Sequence, residues 1–241
     1  MSETITTTMT TSTFHNRIVQ YVFRELEELQ VEKSNDSTTL DPEVLSAVDA
    51  LHYCGNLPIL KAIQATSINK SAKCCRVLDI SSGLASPARM LTHFVPYCQV
   101  DAYTTQLEWH QAAQTLTFRC GLAYKEDCGD NDDTNQTARV KHLYGDSSCF
   151  SSSSSETPYD AMMSFMGIMY VKDRRTLFRH CAQALPDGGR IYVEDLVLIG
   201  EEPNDLVLTA DERELLTQHV GIEHNNLPTL HILLEEYSTA G

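Results

Sequence analysis

Apolar residues recur at helical spacing in the first part of the chain. The positions, three or four residues apart, are Phe14, Ile18, Val22, Leu26 and Leu29. This spacing predicts an amphipathic helix over 13–32. The segment Asp41-Pro42-Glu43 has the composition of a helix start, and a further helix is predicted over 57–65. Residues 13–70 are therefore interpreted as a helical preface, and the Thr-rich and Ser-rich residues 1–12 as a disordered tail.

The pattern then changes to short apolar runs that alternate with helical stretches. The predicted strands are residues 76–80, 99–103, 140–144, 159–165 and 190–198. Helices are predicted between them, starting near Pro87 and spanning 107–119 and 174–184. Alternating strands and helices predict a parallel sheet covered on both faces, and right-handed crossovers make it a doubly wound, Rossmann-like sheet. We assign this α/β domain to residues 71–241.

Two polar segments interrupt the alternation. Residues 126–136 are acidic, and residues 147–156 are almost entirely serine. Neither holds enough apolar side chains to offset the entropy of ordering the segment. Both are predicted to be floppy loop insertions.

The charge balance and the cysteine pattern exclude several classes of partner. The chain has 18 Lys plus Arg against 33 Asp plus Glu, a formal net charge of −15. Such an acidic surface repels phosphate, so we expect neither a nucleic acid nor an anionic membrane as partner.

The eight cysteines form no CxxC pair and the nine histidines no HxxxH spacing. We therefore predict reduced thiols, no metal site and a cytoplasmic location.

Candidate chemistry lies in the segment Val77–Arg89. An apolar strand ends in Asp79, a loop of small residues follows, and a helix begins near Pro87. Small residues let the backbone approach a ligand closely, and free N–H groups at a helix start favour an anionic group. Asp79 adds a carboxylate that could hold an amine. The segment therefore suits a ligand that carries both an ammonium and a carboxylate.

This segment resembles motif I of class I S-adenosylmethionine-dependent methyltransferases, in the branch of the sarcosine/dimethylglycine and phosphoethanolamine N-methyltransferases. Ser82-Gly83-Leu84 followed by Pro87-Ala88-Arg89 carries the match. Four further segments resemble the family in the same order, namely 49–55 (DALHYCG), 144–146 (YGD), 159–164 and 184–189 (ALPDGG). The resemblance covers roughly residues 45–241.

The resemblance implies a methyltransferase that uses S-adenosylmethionine and modifies a small-molecule acceptor, with an amine nitrogen favoured. The cofactor-binding residues that it implies are Tyr53, Asp79, Ser81, Gly83, Ala85, Thr104 and Asp146. The preface would then close over the cofactor as a lid. Tyr170 and Glu194 are the candidates for catalytic contact with the acceptor, with Asp195 beside them.

Three departures from the family pattern involve four positions. Ser81 and Ala85 replace glycines, and a Cβ at a position with φ > 0 costs about 1–2 kcal/mol. Thr104 stands where an acid usually binds the ribose hydroxyls, and Tyr170 where an aromatic or histidine follows strand four. These departures leave a catalytically degenerate, methyltransferase-like binding module as the alternative. A nicotinamide-dependent oxidoreductase is a weaker alternative, because it needs GxGxxG and an acid after strand two.

The family continues with two more strands after the point where this sequence stops. After Leu198 we find helical patterns but no convincing strand, so strand 190–198 is predicted to form an edge, with the C-terminal strands missing. An apolar edge invites pairing with another chain. A truncated sequence is the preferred explanation, and cover by a homodimer partner or by the C-terminal helices is the alternative.

Overall fold

The computed structural model describes residues 11–31, 39–52, 54–68, 74–124, 139–151, 158–198, 209–216, 222 and 227–239. The predicted insertion over 126–136 and most of the predicted tail lie outside the described residues. None of the helices in these ranges is both long and apolar enough to cross a membrane.

The preface consists of α1 (Thr11–Val31), α2 (Pro42–Asp49) and α3 (Leu57–Thr66). At the start of α2 the Asp41 carboxylate accepts a hydrogen bond from the Glu43 N–H at 2.8 Å, and Pro42 fills the first helical position. The apolar faces of the three helices join the sheet residues in one hydrophobic cluster. Four buried members from the preface are Val22, Leu26, Leu45 and Ile59.

Five parallel strands form one sheet in the order β3-β2-β1-β4-β5. They are β1 (Cys75–Ile80), β2 (Cys98–Thr104), β3 (Val140–Tyr144), β4 (Ala161–Phe165) and β5 (Arg190–Glu194). The predicted doubly wound sheet is confirmed. β1 is central, so its carboxyl end lies at the point where the strand order reverses, which is where such sheets bind ligands.

Helices cover both faces of the sheet. The connecting helices are α4 (Ser86–Phe94), α5 (Leu107–Arg119), α6 (Ser148–Ser151), α7 (Arg174–Ala184), α8 (Ala210–Leu215) and α9 (Leu230–Ser238). Alternate residues of β1 point to opposite faces, as the pleat requires. Val77 packs with α1–α5, whereas Leu78 and Ile80 pack with α6, α7 and α9.

Two predictions about these elements are wrong. β5 ends at Glu194 and not at Leu198, because the Asp195 carboxylate accepts hydrogen bonds from the N–H groups of Leu196 and Met169 and turns the chain out of the ladder. The interpretation of residues 147–156 as a loose insertion is wrong for 148–151, which form α6. Phe150 is buried there, with its ring centroid 5.1 Å from that of Tyr103. Residues 152–156 lie outside the described residues.

Candidate functional site

The loop after β1 is built from left-handed residues. Ser81, Gly83 and Ala85 have φ of 57°, 54° and 60°. Hydrogen bonds hold the loop in this shape: the Ser82 N–H donates to the Tyr103 carbonyl at 2.8 Å, and the Ala85 N–H to the Ser82 carbonyl at 2.7 Å. The two positions that depart from glycine thus keep the backbone that glycine favours, at a cost of about 1–2 kcal/mol each.

Two glycines are required by close approach. A Cβ on Gly83 would lie 2.8 Å from Cζ3 of Trp109, which stands over the loop. A Cβ on Gly167, in the loop after β4, would lie 2.5 Å from the Cβ of Ser81. The loops after β1 and β4 therefore touch each other, and one side of the site closes around them.

Asp79 is the penultimate residue of β1, just before this loop. Its side chain is 2% exposed, and neither carboxyl oxygen makes a hydrogen bond of good geometry with the described residues. Burial raises the pKa of Asp79 to about 8, and the Ala88 N–H and the Arg89 guanidinium offset only part of that rise. Burying a carboxyl without a well-formed hydrogen bond costs free energy, and such a group two residues before Ser81, which lines a cavity, points to a ligand.

Arg89 is a positioning residue and does not line the cavity. It is 1% exposed and forms an ion pair with Asp49 at the end of α2. Its guanidinium also donates to the Leu84 carbonyl at 2.8 Å and to the Thr117 hydroxyl at 3.1 Å. Burial raises the pKa of Asp49, and Arg89 counteracts that rise. One side chain therefore ties the preface, the loop after β1 and α5 together.

A cavity of about 230 Å³ opens at the carboxyl ends of β1 and β4. Its polar wall comes from the end of α2 and the loop after β1, and includes Asp49, His52, Ser81, Ser82, Gly83 and Ser86. Its apolar wall comes from α1, α5 and the loop after β4, and includes Phe14, Ile18, Trp109, Phe165, Met166, Met169 and Tyr170. A cavity with one polar and one apolar wall is typical of small-molecule sites.

Helix α1 lines the cavity with Phe14 and Ile18, and His15 holds it against two other lining residues. The Trp109 indole N–H donates to the His15 carbonyl at 3.2 Å. The His15 ring lies between two cavity-lining rings, with its centroid 4.6 Å from that of Trp109 and 6.0 Å from that of Tyr170. Burial lowers the pKa of His15, so its imidazole is neutral at pH 7.

The loop after β4 is also strained. Met166 has φ of 57°, and its N–H donates to the Glu194 carbonyl at 2.7 Å. A 3₁₀ turn over Ile168–Tyr170 follows, and the Asp195 carboxylate holds it by accepting from the Met169 N–H at 2.9 Å. Burial raises the pKa of Asp195 to about 6. Left-handed non-glycine residues on both sides of one cavity are typical of functional sites.

The structure brings together only some of the residues predicted from the sequence. Ser81, Gly83 and Tyr170 line the cavity. Asp79 and Ala85 are buried and do not line the cavity, although each lies within two residues of one that does, Ser81 and Ser86. Tyr53 lies outside the described residues.

Three other predicted residues do not line the cavity. Thr104 is buried at the end of β2, where its hydroxyl accepts from the Gln106 N–H at 3.3 Å. Asp146 is exposed and accepts from the Ser148 N–H at 2.8 Å at the start of α6. Glu194 is half-buried and accepts from the Tyr192 hydroxyl at 3.1 Å. Cofactor contacts by Thr104 and Asp146 stay predictions.

Apart from Tyr170, no residue of the apolar wall was predicted from the sequence as a site residue. Trp109 is the one tryptophan of the chain and lies in the first turn of α5, the helix that follows β2, a signal that could have singled it out. Phe14 carried only the signal of a helix face, and the left-handed backbone of Met166 cannot be recognised from periodicity. Among the described residues no group of three or more His, Cys, Asp or Glu side chains is placed to hold a metal ion.

Comparison with solved structures identifies the fold. A protein from Galdieria sulphuraria assigned as a sarcosine dimethylglycine methyltransferase matches with a TM-score of 0.56 and 12% identity, over 93% of this chain and 74% of that one. Phosphoethanolamine N-methyltransferase 2 from Haemonchus contortus, in complex with S-adenosyl-L-methionine, matches with a TM-score of 0.56 and 20% identity, over 78% of this chain but only 37% of that one.

A protein named as a cyclase has a similar fold. The [4+2]-cyclase SpnF matches with a TM-score of 0.58 and 15% identity, over 97% of this chain and 73% of that one. No protein-family model and no curated protein matches the chain. The chain has the Rossmann-like α/β fold of class I S-adenosylmethionine-dependent methyltransferases. Its activity has to be argued from the site, because one fold hosts several chemistries.

Proposed function

We propose that the chain is a methyltransferase that binds S-adenosylmethionine in this cavity and methylates a small-molecule acceptor, with an amine nitrogen favoured. The carrying observation is the buried Asp79 carboxyl, whose oxygens make no hydrogen bond of good geometry with the described residues, beneath a left-handed loop at the carboxyl end of β1. An enzyme that held only an anion there would have no use for this carboxyl. A zwitterionic amino-acid moiety uses both the acid and the loop.

The residues present fit that cofactor. Asp79 can accept a hydrogen bond from an ammonium group, and ionises more readily when it does so. The Ser82 hydroxyl is buried and has no hydrogen-bond partner among the described residues. The dipole at the start of α4 favours a carboxylate nearby. S-adenosylmethionine, when bound, supplies a methyl group on a sulfonium that needs no further activation.

The protein's remaining work is to place the acceptor and to exclude water. α1 and the loop after β4 exclude water with aromatic and thioether side chains. Tyr170 offers a hydroxyl at the same wall, where it can orient the acceptor. A protonated amine must lose a proton before it reacts, and Glu194, at the end of β5, is our candidate for accepting it.

A second function is favoured by one observation. The acid that usually follows strand two is replaced by Thr104, whose hydroxyl is engaged with the Gln106 N–H. A binding module without methyl transfer would tolerate that replacement. The name of SpnF also attaches this fold to a cyclase.

Product formation separates the two functions. The protein is incubated with S-adenosylmethionine and a panel of small amines, and S-adenosylhomocysteine and methylated amine are quantified together by mass spectrometry. We expect equal amounts of both products, and loss of both in Asp79→Asn. Asp187→Asn, at an exposed aspartate on the turn before β5, is the matched control and keeps activity. Tight cofactor binding without any methylated product would favour the binding module.

A further inference from the structure

We infer, on the basis of the proposed function, that the acceptor is an amine with an apolar, ring-sized substituent and without a carboxylate or phosphate. The inference rests on the composition of the cavity wall away from the loop after β1. That wall consists of Phe14, Ile18, Phe165, Met166, Met169 and Tyr170. Tyr170 contributes its only side-chain oxygen.

The wall favours a ring and an amine. Three of its six side chains are aromatic, and Trp109 adds a fourth ring at the junction with the loop after β1. Aromatic faces attract a cationic amine, and methionine sulfur packs well against aromatic rings. The flexible Met166 and Met169 side chains adapt to the shape of an apolar group. An apolar substituent therefore gains contact area over the whole wall.

The charges around the cavity disfavour an anionic acceptor. Asp49 lines the cavity, and the Asp195 carboxylate lies behind the turn that carries Met169. Among the described residues that line the cavity there is no lysine or arginine. Arg89, the guanidinium paired with Asp49, also donates to Leu84 and Thr117 and is 1% exposed. A carboxylate or phosphate would lose its hydration here without gaining a cation.

The sequence of neighbouring segments supports the same conclusion. Residues 199–241 contain one basic residue, Arg213. They contain nine Asp or Glu residues, at 201, 202, 205, 211, 212, 214, 223, 235 and 236. Residues 1–13, ahead of Phe14, contain neither Lys nor Arg. By composition, therefore, the sequence before Phe14 and after β5 holds little positive charge.

The inferred class differs from what the names of two structural neighbours indicate. Sarcosine and dimethylglycine carry a carboxylate, and phosphoethanolamine carries a phosphate. The chain shares the fold of these two neighbours. The apolar wall of its cavity is nevertheless suited to a ring, whereas sarcosine, dimethylglycine and phosphoethanolamine carry an anionic group. The substituent on the amine is therefore the property to test.

Matched pairs of amines isolate that property. N-methylbenzylamine and sarcosine share a secondary methylamine and differ in phenyl against carboxylate. Phenethylamine and phosphoethanolamine share a primary aminoethyl group and differ in phenyl against phosphate. Binding is measured by calorimetry with and without S-adenosylhomocysteine, and methylation by mass spectrometry. We expect each aromatic amine to bind at least about tenfold more tightly than its anionic partner.

One substitution reverses the preference. Ile18→Lys places a cation in the wall, and Ile18→Met is the uncharged control of similar length. We expect Ile18→Lys to bring the anionic members to equal or better binding, and Ile18→Met to leave the order unchanged. Tighter binding of the anionic members by the unmodified chain, or no binding of either aromatic member, overturns the inference. Absence of S-adenosylhomocysteine binding overturns the proposed function instead, since the amine preference is also measured without it.

Discussion

At Ser81 and Ala85 a side chain occupies a backbone conformation that glycine adopts without strain. The resemblance to the methyltransferases placed glycine at both positions, and the sequence alone left open whether the loop had changed shape. The structure shows that the shape is kept, with φ of 57° and 60°. The loop therefore retains its ability to cradle a ligand, and the two Cβ atoms lower the stability of the folded chain.

Ala85→Gly should stabilise the protein. Removing the Cβ relieves about 1–2 kcal/mol of left-handed strain, and the extra freedom of glycine in the unfolded chain offsets about 0.5–1 kcal/mol of it. Ala88→Gly, three residues later in α4, has no strain to relieve and should destabilise by about 1 kcal/mol. Urea denaturation measures both. If Ala85→Gly destabilised the protein as much as Ala88→Gly, the inferred backbone strain at Ala85 would be contradicted.

Gly83→Ala should be more damaging than Gly55→Ala. Both glycines have positive φ, 54° and 57°, so both variants bear the left-handed cost. Only at Gly83 does the new Cβ meet Trp109, at 2.8 Å, and overpacking adds about 1–3 kcal/mol. Melting temperatures compare the two variants. The close approach of Trp109 is refuted if they are equally stable.

Asp79→Asn should become more stable, relative to the unmodified chain, as pH rises. The folded-state pKa of Asp79 is raised by burial to about 8 from an ordinary 3.8. Between those values the folded chain keeps a proton that the unfolded chain has lost, so stability falls with increasing pH through this window. Asparagine does not titrate, so the advantage of Asp79→Asn should grow from pH 5 to pH 8. A pH-independent difference in unfolding free energy would contradict the buried carboxyl.

At the scale of elements, the strands and the connecting helices could be predicted because each carries its own apolar period. β5 was predicted too long because the run 190–198 is apolar, whereas hydrogen bonds to Asp195 end the strand. α6 was missed because one aromatic among serines gives no period. The contact of His15 with Trp109 joins residues far apart in the sequence, and no local pattern reports it.

The serine-rich segment should divide into a packed part and a dispensable part. Phe150 is buried against Tyr103, so Phe150→Ala should cost about 3–5 kcal/mol. Phe118→Ala is the control, because Phe118 is 75% exposed and should change stability little. Shortening residues 152–156 should also cost little, because closure entropy varies slowly with loop length. Thermal unfolding that ranks Phe118→Ala with Phe150→Ala would show that α6 does not pack.

At the scale of the whole molecule, the preface and the sheet share one hydrophobic cluster. Opening the whole preface, residues 13–70, as a lid would expose buried side chains such as Leu26 and Leu45, which costs free energy. The lid, the homodimer and the cytoplasmic location stay predictions. The fold is established, and the cavity at the carboxyl end of β1 carries the functional proposal.

Binding of the cofactor product tests the central claim most directly. S-adenosylhomocysteine is titrated by calorimetry into the unmodified chain, Asp79→Ala and the surface control Asp187→Asn. We predict one site per chain, at least about tenfold weaker binding in Asp79→Ala, equivalent to about 1.4 kcal/mol, and unchanged binding in Asp187→Asn. No heat of binding with the unmodified chain, or equal affinity of Asp79→Ala, would contradict the assignment of this cavity as a cofactor site.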